Sequence, residues 1–495
     1  MFKRMLTLAI CIVFVSCTLL GRVGYITLSG NYAVAEGYNS YSVFVDANEP
    51  QLYFRNGEKI NNNITRRVAV IRPVTEDLSE LQKYYNKTEI ADITSELKSG
   101  YPVVRSINTN NTELKTLEVF DTNTTLSQLI SKESSGILSH IDLDNRKLNI
   151  SFLIDAKGRI LSGDRDKVQS DGYYSKEGYV LTLDKSVQDI AYSACKDLKN
   201  GCAVIMDVNS AYVLALVNKP DSSYVNKAFN QYCVGSVFKV AVAACAIENG
   251  VDFDYNCTGS VKVGDTVFNC SKKHAHGAVT LKTALAGSCN CYFITLAQKL
   301  GADKLLKTAD KLGFNNDITV INDYKFSSAN LPTRSDLKSK GELSLFGFGQ
   351  GKLTATPLQI CSMLCTVSSG TYKTPKIVYD KKEKNSSVTE LKTPKDKRVL
   401  TTSITEKMLD YLRYVVTDGT GYNAETSAHK SAGKTATAQT GQYLFKNELY
   451  NTWFAGVYPF DNPKYAIVIM CENGTSGASD CCPIFSTIVE MLDNL

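Results

Sequence analysis

The hydrophobic pattern begins with one long apolar stretch near the amino end. Residues 5–26 are mostly apolar and carry a single charge, Arg22. This length spans a bilayer if the Arg22 side chain extends to the interface. Lys3 and Arg4 precede the stretch, and positive charge before a span keeps the amino end inside. We therefore predict a cytoplasmic tail over residues 1–4, a transmembrane anchor over 5–26, and a following chain on the outer face of the cytoplasmic membrane.

Two processing signals are alternatives to a permanent anchor. Ala33-Val34-Ala35 has the small residues of a signal-peptide cleavage site, but it lies far from the apolar core. Phe14-Val15-Ser16-Cys17 is a poor lipoprotein cleavage sequence, since phenylalanine occupies its first position. A single-pass anchor is the interpretation that we retain.

After the anchor, shorter periodic segments predict two folded domains. Residues 27–170 show strand-like alternation over 41–45 and one helical segment over 78–85, which indicates a mixed, mostly β domain. Residues 171–495 predict a catalytic α+β domain in which an antiparallel sheet packs against a helical block. Its predicted strands and its helical block lie at 203–206, 213–217, 236–412, 431–439, 452–458 and 465–470.

The helical block opens on a candidate nucleophile. Ser236 and Lys239 stand at the start of an apolar run and, three residues apart, share one helix face. A lysine in that position can take the proton of the serine hydroxyl during attack. Gly235 permits a sharp turn into the helix, whose unpaired N–H groups favour an oxyanion nearby.

Spacing alone does not select this pair, because five other Ser-x-x-Lys matches occur. Only Ser236 begins a long, buried apolar helix and is followed by two further polar elements. The other matches are Ser95/Lys98, Ser193/Lys196, Ser335/Lys338, Ser427/Lys430 and Ser431/Lys434.

The first further element is a small-residue stretch that contains Ser288 and Asn290. A second hydroxyl can relay a proton between Lys239 and a leaving amine, and a carboxamide can hold both the lysine and a substrate amide. The alternative is that Gly287 and Ser288 cap a helix.

The second further element is a strand of small residues that contains Lys434 and Thr435. A cation beside a hydroxyl suits a carboxylate ligand, and the N–H of Thr437 could complete an oxyanion hole with that of Ser236. A solvated edge strand that happens to carry a lysine is the alternative.

In this order the three elements resemble the Ser-x-x-Lys, Ser-x-Asn and Lys-Thr-Gly signatures of the active-site serine penicillin-binding proteins and β-lactamases. The resemblance covers about the last 320 positions and is closest to class B penicillin-binding proteins. Further matching blocks are Leu181–Gln188, Gly347–Gln350, Thr356–Gln359, Asp418–Gly421 and Trp453–Gly456.

The resemblance implies a peptidoglycan D,D-transpeptidase that crosslinks stem peptides ending in D-Ala-D-Ala to an acceptor amine. It also implies inhibition by β-lactams and a membrane-bound glycosyltransferase that polymerises lipid II as a partner. No cofactor is implied. The alternatives are a β-lactam sensor or β-lactamase, and a catalytically weakened scaffold for the polymerase. The region 27–170 would be the family's non-catalytic pedestal.

One departure from the third signature bears on activity. Ala436 replaces the family's glycine, and its methyl group is expected to point at the space shared by the substrate and Ser236. This substitution is the support for the scaffold alternative.

Composition adds two exclusions. The net charge is +5 on 495 residues, which predicts no nucleic-acid partner. The 15 cysteines do not suggest a disulfide framework because the number is odd. Most, such as Cys245 and Cys361, occupy apolar helical positions, whereas Cys257 and Cys270 bracket a polar loop and could form a disulfide.

The same loop could bind zinc through Cys257, Cys270, His274 and His276. However, the resemblance implies a His-Gly pair at His276-Gly277 without a metal, so we expect none. His429, beside the third signature, is expected to be structural because Lys239 already supplies a base.

Overall fold

The computed structural model describes residues 2–29, 40–48, 50–61, 64–109, 111–121, 126, 129, 146–155, 157–161, 166–170, 172–222, 225–321, 324–382, 388–390 and 395–495. The helices are α1 (Phe2–Ser29), α2 (Thr75–Tyr84), α3 (Lys87–Leu97), α4 (Lys185–Ala194), α5 (Lys239–Glu248), α6 (Leu281–Ala286), α7 (Asn290–Leu300), α8 (Ala302–Lys311), α9 (Lys340–Gly347), α10 (Pro357–Ser369), α11 (Thr402–Asp418), α12 (Gly477–Asp480) and α13 (Cys482–Leu492).

The strands are β1 (Ser40–Ala47), β2 (Gln51–Tyr53), β3 (Ile64–Ile71), β4 (Val103–Ile107), β5 (Lys115–Asp121), β6 (Lys147–Leu153), β7 (Lys167–Gln169), β8 (Gly178–Leu181), β9 (Gly201–Asp207), β10 (Val213–Lys219), β11 (Tyr232–Cys233), β12 (Tyr255–Cys257), β13 (Ser260–Val263), β14 (Thr266–Asn269), β15 (Gly277–Val279), β16 (Asp317–Ile321), β17 (Tyr324–Ser327), β18 (Ala329–Asn330), β19 (Thr354–Ala355), β20 (Thr371–Tyr372), β21 (Val378–Lys382), β22 (Val388–Glu390), β23 (Lys397–Arg398), β24 (Ala432–Leu444), β25 (Asn447–Tyr458) and β26 (Tyr465–Glu472).

Helix α1 confirms the predicted apolar helix. Its segment Met5–Tyr25 has a mean hydropathy of 2.2, and none of it is buried. Such a helix fits a membrane-anchored protein. The alternative cleavage site at 33–35 lies outside the described residues.

The chain divides into two compact units, of which the smaller holds the described residues of 1–48, 65–121 and 143–174. It contains two three-stranded sheets, β1-β6-β7 and β4-β3-β5. Helices α2 and α3 pack on the second sheet around Leu81 and Ile93. The mostly β character predicted for this region is confirmed. The domain limits 27–170 and 171–495 stay predictions, since β2 groups with the larger unit.

The larger unit is built on an antiparallel sheet of five strands in the order β10-β9-β26-β25-β24. Alternate side chains of a strand face opposite sides, and both faces of this sheet are buried. One face packs with α4 and α13, and the other packs with the helical block that includes α5 and α10. The predicted α+β architecture, with an antiparallel sheet against helices, is confirmed.

The helical block differs from the prediction in one respect. Short pairs of antiparallel strands interrupt it, among them β12 with β15, β13 with β14, and β16 with β17. These strands contain three to five residues, too few for the alternation of polar and apolar positions to be recognised in the sequence.

Candidate active site

Ser236 lies in a tight turn that places it beside strand β24. A 3₁₀ turn over Gly235–Phe238 precedes α5, whose first residue is Lys239. The expectation that Ser236 itself opens the α-helix was therefore wrong by one turn, because hydrophobicity cannot distinguish a 3₁₀ turn from the α-helix that continues it.

Glycines allow this turn to approach its neighbours. Gly235 has a φ of 60°, and a Cβ there would lie 2.9 Å from the Cβ of Ala438 in β24. A Cβ on Gly349, in the Gly347–Gln350 block, would lie 1.9 Å from the carbonyl oxygen of Gly235. A side chain at Gly235 would displace the Ser236 turn from β24, and one at Gly349 would displace it from the Gly347–Gln350 block.

Lys239 links the Ser236 turn to the second element. Its side chain is fully buried. Its Nζ donates to the carbonyl oxygen of Ser288 at 2.8 Å, to Ser288 Oγ at 3.2 Å and to Asn290 Oδ1 at 2.7 Å. Both polar residues of the second element thus contact the amine of Lys239.

Burial lowers the pKa of Lys239 to about 8, although the nearby thiols of Cys289, Cys270 and Cys291 oppose the shift. A lysine near this value can lose its proton close to neutral pH. The neutral amine keeps two N–H donors, enough for Asn290 Oδ1 and the Ser288 carbonyl, and its lone pair becomes free to accept a proton.

Ser288 lies in the sharp turn between α6 and α7, and Asn290 is the first residue of α7. Ser288 has a φ of 56°, an unusual backbone conformation for a non-glycine residue that is often found at functional sites. The N-cap of α7 is Cys289, whose sulfur accepts from the N–H of Tyr292. The N-cap is therefore the residue after Ser288, whereas Gly287 is the C-cap of α6, as the capping alternative allowed.

The third element is the edge strand of the sheet, and it carries a second buried lysine. Lys434 is fully buried, and its Nζ donates to the carbonyl oxygen of Thr435 at 2.9 Å. Burial and the positive charge of Lys239 hold its pKa well below the usual range.

Thr420 is a member of the cleft that the sequence did not single out. Its Oγ1 lies 2.6 Å from Thr435 Oγ1, and its N–H donates to the carbonyl oxygen of Ala286 at the end of α6. It therefore connects the edge strand to the Ser288 turn. The only sequence signal was the Asp418–Gly421 block, which gave no role to any one residue.

The backbone of Thr437 is directed to the free edge of the sheet. The carbonyl of Thr435 accepts from Lys434 Nζ, so it points away from β25. Backbone groups repeat every second residue along a strand, so the N–H of Thr437 points the same way. The exposed Thr437 lies next to Ala438, which borders the Ser236 turn.

Ala436 faces the side of the sheet that was expected, but it is packed. It shares a face with Lys434 and Ala438 and is opposite Trp453 on β25. Only 3% of it is exposed. Its methyl group belongs to the buried core with Trp453 rather than to open cleft space.

The loop cysteines converge behind the Ser288 turn. Cys257 and Cys270 are free, with their sulfurs 3.7 Å apart, so the structure does not contain the disulfide that the sequence left open. Sulfur atoms of Cys257, Cys270 and Cys289 and a ring nitrogen of His276 lie within 4.8 Å of one another. Cys289, and not the His274 considered from the sequence, is the fourth member of this cluster. His274 is exposed. Elsewhere, Cys245 and Cys361 are buried as predicted.

Comparison with known proteins identifies the domain that contains these residues. The family model of the penicillin binding protein transpeptidase domain matches residues 201–490. Stage V sporulation protein D of Bacillus subtilis is 28% identical over 386 residues, which are 70% of this chain and 58% of that protein. Peptidoglycan D,D-transpeptidase MrdA of Haemophilus influenzae is 27% identical over 63% of this chain and 55% of that protein. The chain thus spans between half and three fifths of the length of these relatives.

Among solved structures, apo penicillin binding protein 3 of Mycobacterium tuberculosis has a similar fold. The TM-score is 0.64 at 22% identity, and the similarity covers 91% of this chain and 97% of that one. The same protein has also been solved with ampicillin.

Proposed function

Because the chain belongs to the penicillin binding protein transpeptidase domain family, we propose that it is a peptidoglycan D,D-transpeptidase that works through a serine acyl-enzyme. The observation that carries the proposal is the buried amine of Lys239. It is one helical turn from Ser236 and is hydrogen-bonded to Ser288 and Asn290. This arrangement supplies a nucleophile, a base and a proton relay in one cleft.

In the first half-reaction, Ser236 Oγ attacks the carbonyl carbon of the D-Ala-D-Ala peptide bond while its proton passes to Lys239. The N–H groups of Ser236 and Thr437 hold the oxyanion. Collapse of the tetrahedral intermediate breaks the C–N bond. Ser288 gives its proton to the leaving D-alanine amine and is reprotonated by Lys239.

In the second half-reaction, the acceptor amine of another stem peptide attacks the ester, loses a proton to the same relay and regenerates Ser236. Asn290 orients the substrate amide. Lys434 and Thr435 bind the terminal carboxylate, with Thr420 fixing the threonine hydroxyl. A β-lactam would acylate Ser236 by the same route, because its strained amide takes the place of the dipeptide.

The position of the enzyme follows from its anchor. With residues 1–4 inside and α1 in the bilayer, the catalytic unit would act on the outer face of the cytoplasmic membrane, where its substrate is assembled. A membrane-bound lipid II polymerase is the predicted partner, since crosslinking needs glycan strands.

A crosslinking assay tests the proposal. The full chain, in detergent with a lipid II polymerase and lipid II, should yield crosslinked stem peptides and release D-alanine, and prior treatment with penicillin should block both. Uncrosslinked glycan together with rapid hydrolysis of penicillin would instead identify a β-lactamase. A stable penicillin adduct without crosslinks would favour the sensor or scaffold alternative.

Restoring glycine at position 436 tests the scaffold alternative. Since the methyl group of Ala436 is already buried with Trp453, we expect Ala436→Gly to change the rate of penicillin acylation by less than about threefold. We expect the free energy of unfolding to fall by about 1 kcal/mol, because glycine loses more backbone entropy on folding. Acylation kinetics and thermal unfolding measure the two effects.

The matched control is Ala432→Gly, which changes a fully buried alanine on the same face of β24. It should show the same loss of stability. A large rise in acylation confined to the position-436 variant would contradict our interpretation and support a weakened enzyme.

A further inference from the structure

A cluster of three cysteines and one histidine lies behind the Ser288 turn and takes no part in the proposed reaction. Its members come from three separate segments: Cys257 from the end of β12, Cys270 and His276 from the loop between β14 and β15, and Cys289 from the N-cap of α7. All three cysteines are buried. We propose that Cys257, Cys270, His276 and Cys289 form a structural zinc site.

Three of the distances between the ligand atoms match those of a tetrahedral site, and all four atoms lie within 4.8 Å of one another. Zn–S bonds of about 2.3 Å and a Zn–N bond of about 2.0 Å at tetrahedral angles place two sulfurs about 3.8 Å apart, and a sulfur and a nitrogen about 3.5 Å apart. The Cys257–Cys270 and Cys270–Cys289 sulfurs are separated by 3.7 and 3.8 Å. Cys257 Sγ lies 3.5 Å from His276 Nδ1.

The surroundings of the four ligands also fit. His276 Nε2 lies 2.9 Å from the carbonyl oxygen of Gly287. A carbonyl can only accept, so Nε2 carries the proton and Nδ1 presents its lone pair to the cluster, the second-shell arrangement usual for a metal-bound histidine. Backbone N–H groups of Gly259 and Tyr292 donate to the sulfurs of Cys257 and Cys289, which stabilises thiolates.

Cys291 is close to the cluster but is not one of its ligands. Its sulfur lies 3.4 Å from that of Cys270, nearer than two sulfurs on one tetrahedral zinc ion. A hydrogen bond between the two sulfur atoms explains the distance. This residue therefore provides a neighbouring control for the ligand assignment.

A zinc ion at this site would stabilise the segments around Asn290. Asn290 Nδ2 donates to the carbonyl oxygen of Asn269 at 3.1 Å, and Asn269 precedes the ligand Cys270, as Asn290 follows the ligand Cys289. A zinc ion would thus tie together the two segments that meet at this amide. The zinc site rests on its own geometry and does not depend on the proposed transpeptidation.

Metal analysis of the full chain tests the inference. The chain is purified in detergent under reducing conditions, freed of loosely held metal and measured by mass spectrometry of the elements. We expect about one zinc ion per chain, and at least about a tenfold lower content in Cys270→Ser and Cys289→Ser. Cys291→Ser and the distant, buried Cys361→Ser should keep the wild-type content.

Wild-type protein provides a second test should a ligand variant fail to fold. After removal of metal by a chelator, addition of Co²⁺ alone should produce thiolate-to-cobalt charge-transfer absorption, and Zn²⁺ alone should raise the unfolding temperature. Absence of bound zinc together with absence of the cobalt band would overturn the proposal. So would a Cys257–Cys270 disulfide in the metal-free purified chain, or full zinc retention by Cys289→Ser.

Discussion

Replacing Ser236 with alanine is expected to abolish covalent labelling by penicillin, with the acylation rate falling by at least about 10³-fold. Ser236 is partly exposed in its turn, so removal of one hydroxyl should leave the fold intact. Labelling with a fluorescent penicillin, and the intact mass of the treated chain, measure the effect. Thermal unfolding checks that the variant is folded.

The matched control is Ser335→Ala. Ser335 begins another Ser-x-x-Lys match, with Lys338, but it is exposed and precedes only a short 3₁₀ turn. Labelling of this variant should equal that of the wild type. An adduct that persists in Ser236→Ala, or one that disappears in Ser335→Ala, would place the nucleophile elsewhere.

These two serines also show what the sequence could determine. Hydrophobic context separated them correctly: Ser236 leads into a buried helix, whereas Ser335 does not. The order of the three signatures then brought together Lys239, Ser288, Asn290 and the Lys434 strand. Each of these residues lies in a short segment whose residue types follow from the chemistry that the segment performs. The residue could therefore be recognised without knowledge of the fold.

Contacts between distant segments could not be recognised in that way. The hydrogen bond between Thr420 and Thr435 depends on how α11 ends against β24. Cys289 could not be recognised as a ligand from the sequence. A cysteine in an apolar stretch looks the same whether its side chain packs in the core or binds a metal. The zinc ligands considered from the sequence included His274, which is close to Cys270 in the chain. In the structure, His274 is exposed to solvent.

The buried amines connect these findings. Two lysines, Lys239 and Lys434, are fully buried on facing elements, and the positive charge of Lys239 lowers the pKa of Lys434. A fold does not usually keep two such groups for stability, since burying an ammonium costs free energy. Their proximity is better explained by a reaction that needs one neutral amine and one carboxylate-binding cation.

Replacing Lys239 with methionine is therefore expected to lower the acylation rate by about 10³-fold, because the base is lost while an unbranched side chain still fills the buried space. The pH dependence should change as well. Lys239 acts as a base only when neutral, so with its pKa at about 8 the wild-type rate should rise with pH up to that value and level off above it. The variant should lack this rise.

Stopped-flow acylation by a chromogenic β-lactam over a range of pH measures both effects. Lys338→Met, in the exposed Ser-x-x-Lys match, should keep the wild-type rate and profile. The loss of the amine leaves Asn290 Oδ1 and the Ser288 carbonyl without their donor, so unfolding of Lys239→Met should require about 1–3 kcal/mol less than that of the wild type. Since lost stability alone would not flatten the pH profile of the folded fraction, a variant that keeps the wild-type rise would show that another group accepts the proton of Ser236.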